Sequence, residues 1–217
     1  MIELPESLQD GAALLFTEPG HDHLWQELME KDPLEVAAKA GARCLGGPNY
    51  LVNLLGAPYF FGAAERRIIA PADRRPPDKR TALSLLHYFN GAGPGGLSGR
   101  LVPETVLPGG ERFFSGTHAL PRQAILDAFG ERGVDFQERG FRLGAEIVEA
   151  ASGSYAFSLF LLPKIFVQVT LCEKDEEFPA ELYFAFDSSA ADHVPLSILS
   201  ALVGILNQEL TNFEGKS

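Results

Sequence analysis

Three apolar runs late in the chain, residues 155–162, 165–172 and 181–187, constrain the fold more than any other feature. Each has the length of a strand and is rich in aromatic and branched residues, among them Phe157, Ile165, Val167, Val169, Phe184 and Phe186. The first link is Pro163-Lys164, and the second is the segment 173–180. A parallel pair needs a crossover of about a dozen residues or more. Both links are shorter, so consecutive strands must run antiparallel, and this region is expected to form a three-strand meander.

Upstream, Asp22 is placed to cap a helix that carries Leu24, Trp25 and Leu28 inward. Pro33 and Gly41 bracket a second short helix bearing Leu34, Val36, Ala37 and Ala40. Residues 49–55 and 58–61, split by Gly56-Ala57, read as a strand pair, with Arg67-Ile68-Ile69-Ala70 as the next member. Segment 73–78, with Pro76-Pro77, reads as a surface loop. Ala82, Leu83, Leu85, Leu86 and Phe89 give the following helix a wide apolar face, and the glycine-rich stretch 91–99 ends it as a mobile connection. Residues 101–114 read as irregular and extended, turning at Pro108-Gly109-Gly110. One helix is expected from Pro121 to Gly130 and another over 135–149, the latter despite Gly140 and Gly144; residues 196–210 close the pattern as an amphipathic helix. Strands and helices are partly segregated rather than alternating. That predicts an α+β fold, in which an antiparallel sheet of the C-terminal meander plus N-terminal strands packs with helices. A single domain over 1–217 is expected, with 1–45 as a helical segment packed on it.

With 217 residues and 46% hydrophobic content, the chain can bury one sizeable core. Its net charge of -11 argues against nucleic acid as a partner, because phosphate binding needs clustered Lys and Arg. Anionic membrane surfaces are disfavoured for the same reason, and no apolar stretch approaches the roughly 20 residues of a membrane helix. Segment 1–10 is acidic and lacks the basic and apolar parts of a secretory signal. Cys44 and Cys172 lie far apart in apolar company and read as free thiols of a reducing compartment. The expected location is the cytoplasm.

Several motifs invite a chemical reading. Gly91-Ala92-Gly93-Pro94-Gly95-Gly96 has the spacing of a dinucleotide fingerprint, but a helix precedes it where a strand is required, and Pro94 removes an amide donor. Gly215-Lys216-Ser217 resembles the end of a phosphate loop, with Leu210 where glycine is needed. His21-Asp22-His23 offers metal-ligand types, although adjacent residues rarely converge on one ion. His118 and His193 read as surface or structural groups. The chain has no Gly-x-Ser-x-Gly, His-Glu-x-x-His or Cys-x-x-Cys, so the common hydrolase and zinc signatures are absent.

Two sets of polar residues remain. His87 and Tyr88 interrupt an apolar helix, where an imidazole can serve as acid, base or ligand near neutral pH; the plainer role is a hydrogen bond to backbone. Asp175-Glu176-Glu177-Phe178-Pro179 lies between the second and third strands of the meander. Asp175 and Glu177 alternate and so can share a face, and Asp187 ends the neighbouring strand. Gathered together, these carboxylates would suit a hard cation, or would pair with Arg100 or Arg112 as a structural network. A solvated turn is the commoner fate of such acids.

Four pieces recur in a telling order: Leu85-Leu86-His87-Tyr88; Val106-Leu107-Pro108-Gly109-Gly110 followed by Phe113-Phe114; Asp175-Glu176-Glu177-Phe178-Pro179; and Phe186-Asp187-Ser188-Ser189-Ala190. From about residue 37 onward the chain resembles the bacterial and archaeal family known as domain of unknown function 3786. The resemblance implies a setting in anaerobic metabolism, in the company of corrinoid or redox chemistry, and carries no catalytic residues with it. Some relatives have an added cysteine-rich iron–sulfur module; nothing here matches it, and no cofactor is assigned.

The best reading is therefore a cytoplasmic domain that binds a small molecule or a metal-bearing cofactor, accessory to anaerobic metabolism. His87, Tyr88, Arg112, Asp175, Glu177 and Asp187 are its candidate ligand-binding residues. The alternatives are a protein–protein interaction module whose motifs only lock the fold, and a metal-assisted hydrolase or acid–base enzyme using Glu177 with His87. The expected partner is a small molecule or a protein, and no metal-ligand set is assigned.

Overall fold

The computed structural model describes residues 4–115 and 118–212. They form an α+β fold of two antiparallel five-stranded sheets and eight α-helices. Helix α1 (Glu6–Gln9) leads into β1 (Ala13–Leu15), then α2 (Asp22–Glu30) and α3 (Pro33–Ala40). Strands β2 (Arg43–Cys44), β3 (Asn49–Leu54), β4 (Ala57–Gly62) and β5 (Arg67–Ile69) complete the first sheet, in the order β1-β5-β4-β3-β2. Helix α3 forms as its signals dictate. Asp32 accepts from the Leu34 and Glu35 amides at 2.8 and 2.9 Å, and Gly41 closes the helix at φ 61°. Asp22, by contrast, does not cap α2. His21 holds the cap position, and Asp22 sits inside the first turn, paired with Arg66 at 2.7 Å.

The second half comprises α4 (Lys79–Gly91), β6 (Leu101–Pro103), α5 (Gly110–Phe113), α6 (Gln123–Phe129), α7 (Gly133–Arg142), β7 (Glu146–Val148), β8 (Ser154–Leu162), β9 (Ile165–Cys172), β10 (Glu181–Asp187) and α8 (Leu196–Thr211). The meander β8-β9-β10 is present, and one strand is added on each side to give β6-β10-β9-β8-β7. Both additions depart from expectation: residues 101–103 pair as a strand rather than lying irregular, and residues 146–148 form a strand rather than the last turn of a helix reaching 149. The helix stops early because Gly144, at φ 84°, turns the chain back into β7. Gly140 nevertheless stays inside α7 for a packing reason: a Cβ there would lie 2.5 Å from Phe157 Cδ1. At Gly133 the same atom would come within 1.9 Å of Tyr155 Cδ2. Seven residues apart, these glycines share one face, and that face seats α7 directly on β8.

Helix α8 also differs from the amphipathic expectation. Ile198, Leu199, Leu202, Val203, Ile205, Leu206 and Leu210 are buried around most of its circumference, which marks a core helix. It packs against α4, α6 and α7. One buried cluster joins Trp25, Tyr50, Phe61, Phe89, Phe136, Phe157, Val169 and Leu206 across both sheets. Each such side chain contributes about 1.5–3 kcal/mol, so this core rather than any ion pair carries the stability. Cys44 and Cys172 are free. No helix among the described residues is long and apolar enough to cross a membrane. Gly215-Lys216-Ser217 lies outside the described residues.

Candidate functional site

The six candidate residues do not meet at one place. His87, on α4, is half-buried, and its pKa is lowered first by burial and then by His21 and His23. Tyr88 is fully buried and donates its hydroxyl to the Ala40 carbonyl at 2.7 Å, tying α4 to α3; burial raises its pKa. Asp175 and Glu177 occupy the exposed β9–β10 connection. Asp175 Oδ1 accepts from the Glu177 and Phe178 amides at 2.8 and 2.7 Å, so the carboxylate shapes its own turn. Asp187 lies at the opposite end of β10, about 20 Å away by strand rise. Arg112 is exposed near the end of α5, and its carbonyl accepts from Ser115 Oγ at 2.9 Å. Among the described residues no group of three or more His, Cys, Asp or Glu is placed to hold a metal ion. Neither Arg100 nor Arg112 pairs with the acidic turn there; Lys174 beside it meets Glu131 at 2.9 Å.

Asp187 is instead the centre of a clamp on the glycine-rich loop 91–99. It is buried, and its carboxylate accepts from the Ser98 amide at 2.9 Å, the Gly99 amide at 2.8 Å, and the Ser189 amide and hydroxyl at 3.0 and 2.6 Å. Burial pushes the pKa up, but the donors from Ser189 and Ser98 outweigh it and hold the carboxyl well below its usual range. Lys164, in the β8–β9 turn, donates to the Gly93 and Gly95 carbonyls at 2.7 and 2.8 Å. His193 is buried, and its Nδ1 accepts from the Gly93 amide at 3.2 Å, which assigns the ring proton to Nε2. Burial, then Lys164, lowers its pKa against the opposing pull of Asp192 and Asp187. The loop expected to be a mobile connection is thus fastened by three side chains. Nearly all of this polar inventory is satisfied within the protein; His193 Nε2 is buried without a partner among the described residues.

A second polar cluster forms where the ends of α7 and α8 approach the loop after β5. Arg74, Arg139, Arg142, Asp73, Glu209 and Asn212 line a cavity of about 220 Å³. Arg139 and Arg142, three residues apart on α7, share a helix face. Arg139 donates to the Leu210 and Glu209 carbonyls at 3.1 and 3.2 Å, where the end of α8 favours a cation. Arg74 donates to the Leu55 carbonyl at 3.1 Å and stands 3.8 Å from Glu209. Burial raises the Glu209 pKa against the opposing charges of Arg74, Arg75 and Arg139. Tyr59 beside it is raised by burial and then by Glu209.

Arg142 is exposed, and no hydrogen bond or ion pair engages its guanidinium among the described residues. Three guanidinium groups against two carboxyls leave one net positive charge, within a chain whose total is -11. Planar guanidinium forks bind carboxylate and phosphate oxygens in pairs, so this cavity can hold a small anion. None of the six candidate residues lines it. The sequence signal is faint: Arg139 and Arg142 at helical spacing, and Arg74-Arg75 in a loop that reads as solvated.

Fold and site together define an α+β protein with a fastened glycine loop and an open arginine-lined cavity. The chain belongs to the family described as Domain of unknown function (DUF3786), whose model matches residues 32–209. That span takes in the clamp and all of the cavity residues except Asn212. No curated protein and no solved structure matches the chain.

Proposed function

We propose that this chain is a binding domain for a small anionic molecule held by Arg74, Arg139 and Arg142. The observation that carries the reading is the Arg142 guanidinium, unengaged among the described residues, beside two arginines that backbone carbonyls already orient. An incoming anion meets pre-positioned donors and orders little on binding. Glu209, with its raised pKa and 3.8 Å separation from Arg74, is a weak competitor for those donors. The small-molecule role thereby moves from His87, Tyr88, Arg112, Asp175, Glu177 and Asp187 to the ends of α7 and α8. We take residues 1–217 as one domain, since Trp25, Val36 and Ala40 of the segment 1–45 join the common core. The cytoplasm is its compartment in this reading, following the acidic charge and free thiols, and an accessory role in anaerobic metabolism follows from the family resemblance.

Calorimetric titration with phosphate, sulfate and acetate tests the proposal. The wild type is expected to bind at least one of them saturably, more weakly as salt rises. Arg142→Ala is expected to lose at least tenfold in affinity while its unfolding curve stays in place. Absence of saturable binding, or equal binding by the variant, removes the reading.

A further inference from the structure

The cavity has an apolar extension. Val134 and Phe141 of α7 are 58% and 69% exposed, and Ile147 of the edge strand β7 is 49% exposed. Val134 and Phe141 are seven residues apart, so they lie on one helix face about 10 Å apart along the axis. The reason they face outward lies about 100° round the helix, where their neighbours Gly133 and Gly140 press against Tyr155 and Phe157. With the inward face committed to glycine, part of the apolar content of α7 is left in water. Val134, Phe141 and Ile147, with Gln137, Glu138 and Arg142, line an open groove of about 400 Å³. Arg142 lines this groove and the arginine cavity alike. A basic head site and an apolar track therefore meet at one residue, Arg142.

Resting on the anion-binding reading, we infer that the ligand is an amphiphilic monoanion. Its carboxylate or similar head sits among Arg142, Arg139 and Arg74, and its medium-length apolar tail lies along Val134, Phe141 and Ile147. Charge complementarity at Arg142 sets the head. The track of two helical turns sets the tail length. Glu138 lines the groove midway, one turn from both Val134 and Arg142, and disfavours a second carboxylate on the tail, so the tail is uncharged. A protein partner is a poorer occupant, because three exposed apolar side chains fall far short of the roughly 20–30 residues per side of a standard interface.

The test is calorimetry on the full chain with acetate, butyrate, hexanoate and octanoate, each below micelle-forming concentrations, together with octanol and the eight-carbon dicarboxylate suberate. Affinity is expected to rise about three- to fourfold per methylene where the tail is fully buried. Octanol and suberate are each expected to bind at least tenfold more weakly than octanoate. Phe141→Ser, an exposed change, is expected to flatten the dependence on tail length and leave acetate binding in place. If acetate binds and octanoate binds no tighter, the amphiphile is overturned while the anion site stands. The amphiphile is likewise overturned if Phe141→Ser leaves octanoate affinity unchanged, or if suberate matches octanoate. If none of the anions binds, both readings fall together.

Discussion

The clamp around Asp187 and the cavity around Glu209 are built from the same kinds of groups and behave in opposite ways. At the clamp, four donors reach one carboxylate within 2.6–3.0 Å, and its pKa falls despite burial. At the cavity, burial outweighs the charges of Arg74, Arg75 and Arg139 and the Arg75 amide, with the Arg74 guanidinium 3.8 Å from the carboxylate, so the pKa rises. Desolvation and donor geometry compete in both places, and the closeness of the donors decides the sign. A carboxylate satisfied by its own fold holds a loop in place. At the cavity, backbone carbonyls orient Arg74 and Arg139, and Arg142, unengaged among the described residues, remains available to a ligand.

That contrast breaks if removing either carboxylate has the same consequence. The largest effect is expected for Asp187→Ala, which leaves the Ser98, Gly99 and Ser189 donors without their acceptor and should cost about 3 kcal/mol in urea unfolding. Because the folded pKa lies below the unfolded one, the Asp187 contribution is present above the ordinary carboxylate range and lost as pH falls through the folded value. The variant should therefore lack that part of the acid-side decline, with anion binding at the cavity unchanged.

Arg142→Ala is the intermediate case: tenfold weaker anion binding, equivalent to about 1.4 kcal/mol, with unfolding stability within about 0.5 kcal/mol. A large stability loss there would make Arg142 a structural residue like those of the clamp.

The smallest effect is expected for Glu209→Gln, which changes neutral-pH stability by less than about 1 kcal/mol, in the stabilising direction. Here the sign reverses. A raised folded pKa means the fold gains stability as pH falls through that value toward the ordinary one, and the variant should show no such gain. Removing the competing charge should also tighten phosphate or acetate binding severalfold, measured by calorimetry.

How far the sequence can be read follows from the same physics. The meander is legible because its links, Pro163-Lys164 and 173–180, admit one geometry. Helix α3 is legible because Pro33 and Gly41 are local signals; the Asp32 cap is a further one, absent from the sequence expectation. Residues 146–148 mislead because the tendency of α7 to continue is local, whereas the left-handed turn at Gly144 and the packing of Gly140 on Phe157 are set by tertiary contact. Leu101–Pro103 is too short to announce itself as a strand; only its pairing with β10 makes it one. In α8, Ser197, Ser200 and Gln208 suggest a wet face, yet the helix is enclosed by α4, α6 and α7. The candidate site is least legible. His87, Tyr88 and the acidic turn stand out by local contrast, while the arginine cavity draws Arg74, Arg139, Arg142 and Glu209 from three distant segments with no shared pattern.

The sharpest test is a side-chain and backbone chemical-shift map of the protein titrated with acetate and then with octanoate. Saturable shifts are expected at the guanidinium groups of Arg74, Arg139 and Arg142, and with octanoate along Val134, Phe141 and Ile147 as well, while Ser98, Gly99 and Ser189 stay in place. Shifts concentrated in loop 91–99 around His193, with the arginine resonances unmoved, would refute the arginine site.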